Sequence, residues 1–331
     1  MRDKIAGALY GMALGDAMGM PAELWGRKRV KAFFGRIEGF LDGPAENDVA
    51  FNYKKGQFTD DTGQALVLLD SIESTDYEPD TRDIALRMLA WAEKENAFEN
   101  NILGPTSKVA LANFRDNIQD SRITDKALSN GSAMRIAPIG CLFRPEQKED
   151  IARYVYLVSR ATHTSDVTIA GAAMIAEAVS SAIVKDDFEK VMEDVFGIEE
   201  IGYGMGCETF SPKLGERLRI GLDIAGSYKG DDEGFIHKLY DVVGTGVGII
   251  ESVPAALSVA YYAQDPNLSC LLCANMAGDT DTIGAMATAV CGAFTGMGRI
   301  KPEYIRTLRQ QNDADFDHYI RILEKGRERF A

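Results

Sequence analysis

Two short stretches carry more carboxylates and hydroxyls than folding alone requires. Thr59-Asp60-Asp61-Thr62 and Asp279-Thr280-Asp281-Thr282 each place two acids and two hydroxyls in four residues, directly before an apolar run. One Asp at such a point is ordinary, because its side-chain oxygen accepts a free N–H of the first helical turn. A second acid exceeds that need. Four carboxylates gathered together repel one another unless they are protonated or neutralised, and bound cations are the common remedy. The expectation is that the two stretches converge on divalent metal, with Thr59, Asp60, Asp61, Asp279, Asp281 and Thr282 as ligands. Hard oxygen donors favour magnesium, manganese or calcium over zinc, and none of the three histidines lies beside either stretch. Two ions about 3.5–4 Å apart would activate a water and orient substrate hydroxyls; a single ion also fits the sequence.

Other residues are candidates on weaker grounds. In Asn130-Gly131-Ser132-Ala133-Met134-Arg135 a glycine turn offers successive N–H groups that can cradle a phosphate, although an ordinary loop has the same composition. His163, in Thr162-His163-Thr164-Ser165, precedes a small-residue helix and reads as a cap or a site residue. Glu23 follows Pro21 and Glu251 precedes Pro254, each flanked by apolar neighbours, with Glu23 the stronger site candidate. Asp16 reads as structural.

The elements that must hold these residues are helical. Gly7, Gly11, Gly15 and Gly19 recur every four positions, which aligns them on one face of a helix over 3–19 and admits a second helix at close range. Apolar periodicity predicts further helices from about Gly63 to Ile72, over 81–95, 147–162, 166–184, 213–226, 231–243, 253–263, 268–276, 283–297 and 302–324. No stretch alternates with period two between hairpin turns, so a large sheet is not expected. The helices over 166–184 and 283–297 lack a continuous polar face and read as central. The segment 185–212, where acids give way to a glycine-rich loop, is the weakest point of an otherwise undivided chain.

Composition narrows the partners. Fifty acidic against thirty-six basic residues give a formal net charge of -14, which argues against non-specific attraction to nucleic acid or to anionic lipid. The long apolar stretches are interrupted or too short for the ~20 residues that span a bilayer. The beginning of the chain lacks the apolar core and cleavage site of a secretory leader, and five cysteines without framework spacing fit reduced thiols. The expected location is cytoplasmic, with no nucleic-acid or membrane partner.

Taken together and in order, Gly11-x-x-x-Gly15-Asp16-Ala17-x-Gly19, Thr59-Asp60-Asp61-Thr62, Asn130-Gly131-Ser132-x-Met134-Arg135, His163 and Gly278-Asp279-Thr280-Asp281-Thr282 resemble the ADP-ribosylglycohydrolase family, which includes dinitrogenase-reductase-activating glycohydrolase. The resemblance runs from about residue 3 to 303. It implies a compact all-α fold, an orthogonal multi-helix bundle forming a single domain over 1–331, with a binuclear Mg2+ or Mn2+ centre at the base of an ADP-ribose cleft. By motif matching, Thr59, Asp60, Asp61, Asp279, Asp281 and Thr282 would be metal ligands. Asn130, Gly131, Ser132 and Met134 would lie along the diphosphate, and His163 would contact the nucleotide side. Glu23 matches an acidic position beside the scissile ribose, and Asp60, Asp61 or Glu23 would accept or relay a proton. At Gln64 this chain has an amide where the family often has Met. The implied activity is hydrolysis of the glycosidic bond in ADP-ribosylated protein or small-molecule substrates. A metal-dependent N-glycosidase of a smaller nucleoside-like substrate and a non-catalytic ADP-ribose binder or structural relative are the alternatives.

Overall fold

The computed structural model describes residues 1–100 and 102–331. Among them the chain is all-α, with three isolated bridges in place of a sheet. The N-terminal part contains α1 (Arg2–Gly19), α2 (Arg27–Phe34), α3 (Asp60–Ser74), α4 (Thr81–Lys94) and α5 (Pro105–Arg115). Two single-turn helices, α6 (Arg122–Asp125) and α7 (Ala137–Gly140), flank the Asn130 turn, and α8 (Lys148–Ser159) and α9 (Asp166–Val184) follow it. Then come α10 (Phe188–Tyr203), α11 (Leu214–Ser227), α12 (Asp232–Val242), α13 (Ile249–Ala263), α14 (Pro266–Met276) and α15 (Thr280–Thr295). The last two are α16 (Pro302–Gln311) and α17 (Phe316–Phe330).

The glycine stripe of α1 lies against α15. A Cβ built on Gly15 would sit 1.9 Å from the Gly284 carbonyl oxygen, and one on Gly7 would sit 2.1 Å from that of Gly292. No side chain fits between two backbones at that range, so Gly15 and Gly284 permit an approach that larger residues forbid. The pair sits at the centre of the core, with α9, α13 and α14 around it. α9 is long and apolar enough to cross a bilayer, but 94% of its apolar window is buried inside the bundle. That burial explains its uninterrupted Ala, Gly and Ser composition.

Several helix limits differ from those expected. α3 starts at Asp60 and α15 at Thr280, three residues earlier than the apolar periodicity suggested, so the acids lie in the first turns. Residues 188–203 form α10, which packs along α9 where the sequence looked weakest. The expected helix over 302–324 is two: Asn312 adopts extended backbone, and the Asp315 carboxylate accepts the His318 N–H to cap α17. α13 begins before Pro254 and carries it inside the helix. The missing Pro N–H leaves the Ile250 carbonyl without its usual donor, and Arg217 Nη1 supplies one at 3.4 Å.

Candidate active site

The close approach of α1 and α15 decides where the acids meet. Asp16, one residue past Gly15, is fully buried and serves as the template for the start of α3. Its Oδ1 accepts from the Thr59 amide at 2.8 Å and the Thr59 hydroxyl at 2.9 Å. Its Oδ2 accepts from the Thr62 amide at 3.0 Å and the Thr62 hydroxyl at 2.5 Å. A carboxylate from another helix thus caps α3, and Asp60 and Asp61 are left free for other work. On α15, Thr280 Oγ1 donates to the Gly19 carbonyl at 2.7 Å, fastening the start of that helix to the end of α1.

The approach to α15 is equally constrained. Ala277 and Gly278 have φ of 73° and 87°, and Leu24, paired across the Trp25–Gly278 bridge, has φ of 57°. Non-glycine residues rarely hold that conformation, and such backbone persists only where its surroundings enforce it. Here Leu24 N donates to Gly278 O at 2.7 Å, Gly278 N to Trp25 O at 3.0 Å, and Asp279 N to Thr245 O at 2.7 Å. The result aligns Glu23 with α15: one carboxylate oxygen from each of Glu23, Asp279 and Asp281 lies within 4.8 Å of the others. Asn47 Nδ2 donates to the Glu23 carbonyl at 3.0 Å and holds that segment from behind.

The two acidic stretches do converge. Thr59 Oγ1 lies 3.1 Å from Asp61 Oδ2 and 3.4 Å from Asp281 Oδ2, joining the start of α3 to that of α15. Asp61, Asp279, Asp281 and Thr282 are buried, whereas Asp60 and Glu23 are half-buried. Asp279 occupies the N-cap position of α15 without making a capping bond; its Oδ2 accepts from Asn130 Nδ2 at 2.5 Å. Burial and the neighbouring carboxylates raise Asp60 to about 8 and hold Asp61, Asp281 and Glu23 well above the usual carboxylate range. Burial also raises Asp16 and Asp279, but their hydrogen bonds limit the rise to about 6.

This donor set fits a hard cation. Asp61 Oδ1 and Asp281 Oδ1 are buried without a hydrogen-bond partner in the protein, an arrangement that costs free energy unless the carboxylates are protonated or a cation neutralises them. Oxygen-only ligands, several of them carboxylates, suit magnesium, manganese or calcium. The cluster can therefore hold a metal ion.

The Asn130 turn meets the cluster through its bond to Asp279. It is held on its other side by the Ser129–Gly248 bridge and by Asn130 N donating to Val247 O at 3.1 Å. The side chains of Ser132 and His163 bond within the protein. Ser132 is fully buried, and its Oγ donates to the Thr168 carbonyl at 3.0 Å. His163 is also fully buried, beneath Gly131, where a Cβ would lie 2.8 Å from His163 Cε1. Its ring nitrogens lie 2.8 Å from Thr162 Oγ1 and 3.1 Å from Ser129 Oγ, and burial, with Arg135 nearby, lowers its pKa to about 3. The ring supports the turn from below as a neutral group. Of the weaker candidates, Glu251 accepts from the Gly246 amide at 2.8 Å and orders the loop before α13.

Residues to which sequence reasoning assigned no role complete the site. Gln64 donates to Asp60 Oδ2 at 3.0 Å and accepts from the buried Arg135 at 2.6 Å. Asn47 and Thr280 anchor backbone. Asn47 is a single polar residue with nothing nearby in the chain to mark it, and Gln64, two residues past Thr62, stands out in the sequence only as an amide where the family often has Met.

Comparison with known proteins agrees with the all-α fold. The family model described as ADP-ribosylglycohydrolase matches residues 1–329. An Escherichia coli K12 protein, the uncharacterized YegU, is 44% identical over 98% of this chain and 98% of its own. The ADP-ribosylarginine hydrolase Tri1 of Pseudomonas putida is 26% identical, covering 92% of this chain and 73% of its own. The human ADP-ribosylhydrolase ARH3 is 23% identical, covering 94% and 91%. A solved structure described as an ADP-ribosylglycohydrolase-related protein complex has the same fold, with a TM-score of 0.72 over 98% of each chain at 22% identity. The chain belongs to the ADP-ribosylglycohydrolase family, a family of enzymes that hydrolyse glycosidic bonds.

Proposed function

We propose that this chain, acting as a single domain, releases ADP-ribose from ADP-ribosylated protein or small-molecule substrates, using two divalent cations, Mg2+ or Mn2+, held by Thr59, Asp60, Asp61, Asp279, Asp281 and Thr282. The observation that carries the reading is the convergence of both Asp-rich helix starts, with Asp61 Oδ1 and Asp281 Oδ1 buried and unpartnered, beside a glycine turn tied to Asp279. Cations held by these residues would supply charge compensation and would polarise ribose hydroxyls.

The protein's own groups do the rest. Hydrolysis forms a bond from water oxygen to the anomeric carbon and breaks the bond from that carbon to the leaving atom, which keeps the electron pair. The water proton passes to a carboxylate, for which Asp60, Asp61 and Glu23 are the candidates, and that group returns it to the leaving atom. Asn130, Gly131, Ser132 and Met134 border the diphosphate through the turn backbone, and His163 keeps that turn in shape.

Thermal denaturation with and without Mg2+ or Mn2+, each in the presence of ADP-ribose or adenosine, tests the reading. Stabilisation by ADP-ribose that requires metal is the expected result. Equal stabilisation by adenosine, or stabilisation by ADP-ribose in chelator, would contradict it.

A further inference from the structure

One buried cation, at the end of the Asn130 turn, is not among the metal ligands, and its hydrogen bonds lead through Gln64 toward Asp60 and through Thr162 toward His163 beneath the turn. Arg135 is 1% exposed, yet no carboxylate touches it. Its Nη1 donates to Gln64 Oε1 and its Nη2 to Thr162 Oγ1, each at 2.6 Å. Beyond Gln64 lies Asp60 Oδ2 at 3.0 Å. Beyond Thr162 lie His163 Nδ1 at 2.8 Å and then, from His163 Nε2, Ser129 Oγ at 3.1 Å.

A guanidinium has donors and no acceptor, and it does not lose its proton in proteins. The direction of each bond follows from that. Gln64 must turn its oxygen to Arg135 and its NH2 to Asp60, so Asp60 Oδ2 is held as an acceptor. Thr162 must accept from Arg135, which leaves its own proton to place. The Ser159 carbonyl, 3.5 Å away, already accepts the Thr162 and His163 amides at 3.0 and 2.9 Å. The Thr162 proton therefore goes to His163 Nδ1, and the neutral ring carries its proton on Nε2, donating to Ser129 beside the turn.

We propose that Arg135 sets the direction of every hydrogen bond in this buried chain, and that Gln64 and Arg135 are positioning residues: they fix the Asp60 carboxylate at one end and the His163 tautomer under the phosphate turn at the other. The role assigned to Asp60 in turnover rests on the proposed hydrolase activity; the tautomer does not.

Long-range 15N–1H NMR on the wild-type protein at pH 7 reads the tautomer directly, since only three histidines need assignment. The expected result is a neutral His163 protonated on Nε2; a proton on Nδ1, or an imidazolium, would overturn the proposal. The second arm is Gln64→Glu, which still accepts from Arg135 but has no proton for Asp60. The His163 signature should be kept and the metal-free melting temperature should fall, because a carboxylate then faces Asp60, while kcat falls at least tenfold and KM changes less than threefold. An unchanged kcat would show that Gln64 does not position Asp60. Should the wild type turn over no ADP-ribosylated substrate, the hydrolase reading fails, and the tautomer still decides the direction of the chain.

Discussion

Asp16 and Thr59 are joined twice, the Thr59 amide and hydroxyl both donating to Asp16 Oδ1 at 2.8 and 2.9 Å. Through this contact α1 dictates where α3 begins. Asp16→Asn keeps one acceptor but turns an NH2 toward the Thr62 amide and hydroxyl, leaving buried donors facing each other. The expected cost is about 1–3 kcal/mol, seen as a lower denaturant midpoint, together with weaker Mn2+ binding by calorimetry. Unchanged metal affinity would show that the cap does not place the ligands.

The glycine contact between α1 and α15 makes a sharper demand. Gly15→Ala would put a methyl group 1.9 Å from a backbone carbonyl oxygen, which only a shift of one helix relieves. Overpacking of this kind costs about 1–3 kcal/mol or more. Denaturant unfolding should show the loss, whereas Gly26→Ala, with open space at its Cβ, should stay near wild type.

Burial and mutual repulsion give the metal-free site a pH dependence of definite sign. Asp60 is raised to about 8, and Asp61, Asp281 and Glu23 also rise. Their folded-state values lie above the unfolded ones, so the folded protein binds more protons between about pH 4 and 8. Stability of the metal-free protein should therefore fall as pH rises through that window. Melting curves in chelator at pH 5.5 and 8 test this, and added Mn2+ should stabilise more at pH 8, where protons no longer compete.

Glu23 separates stability from catalysis. Its carboxylate shares the 4.8 Å cluster with Asp279 and Asp281, so Glu23→Gln removes one repelling charge and should raise the metal-free melting temperature. If Glu23 relays the proton, kcat falls by about 10²–10⁴. A variant with higher stability and full activity would assign the proton to Asp60 or Asp61 instead.

Much of this site is legible in the chain because the signals are local. Two acids where one cap suffices mark the helix starts, and four glycines spaced by four mark the face that brings the helices together. Other features are invisible for a physical reason. Gln64 and Arg135 are 71 positions apart, and only the tertiary fold makes them partners. α2 and α5 are short, with one and four buried residues, so their apolar periodicity is faint. α10 looked like a boundary because its exposed face is acidic, while Val191, Val195 and Ile198 beneath it are buried.

The most direct test is release of ADP-ribose from arginine- and serine-linked ADP-ribosyl peptides, comparing wild type in Mg2+ or Mn2+, wild type in chelator, and Asp281→Asn in metal. The account predicts release by the wild type only when metal is present, and a loss of at least a hundredfold in Asp281→Asn. Full release in chelator, or by Asp281→Asn, would contradict it.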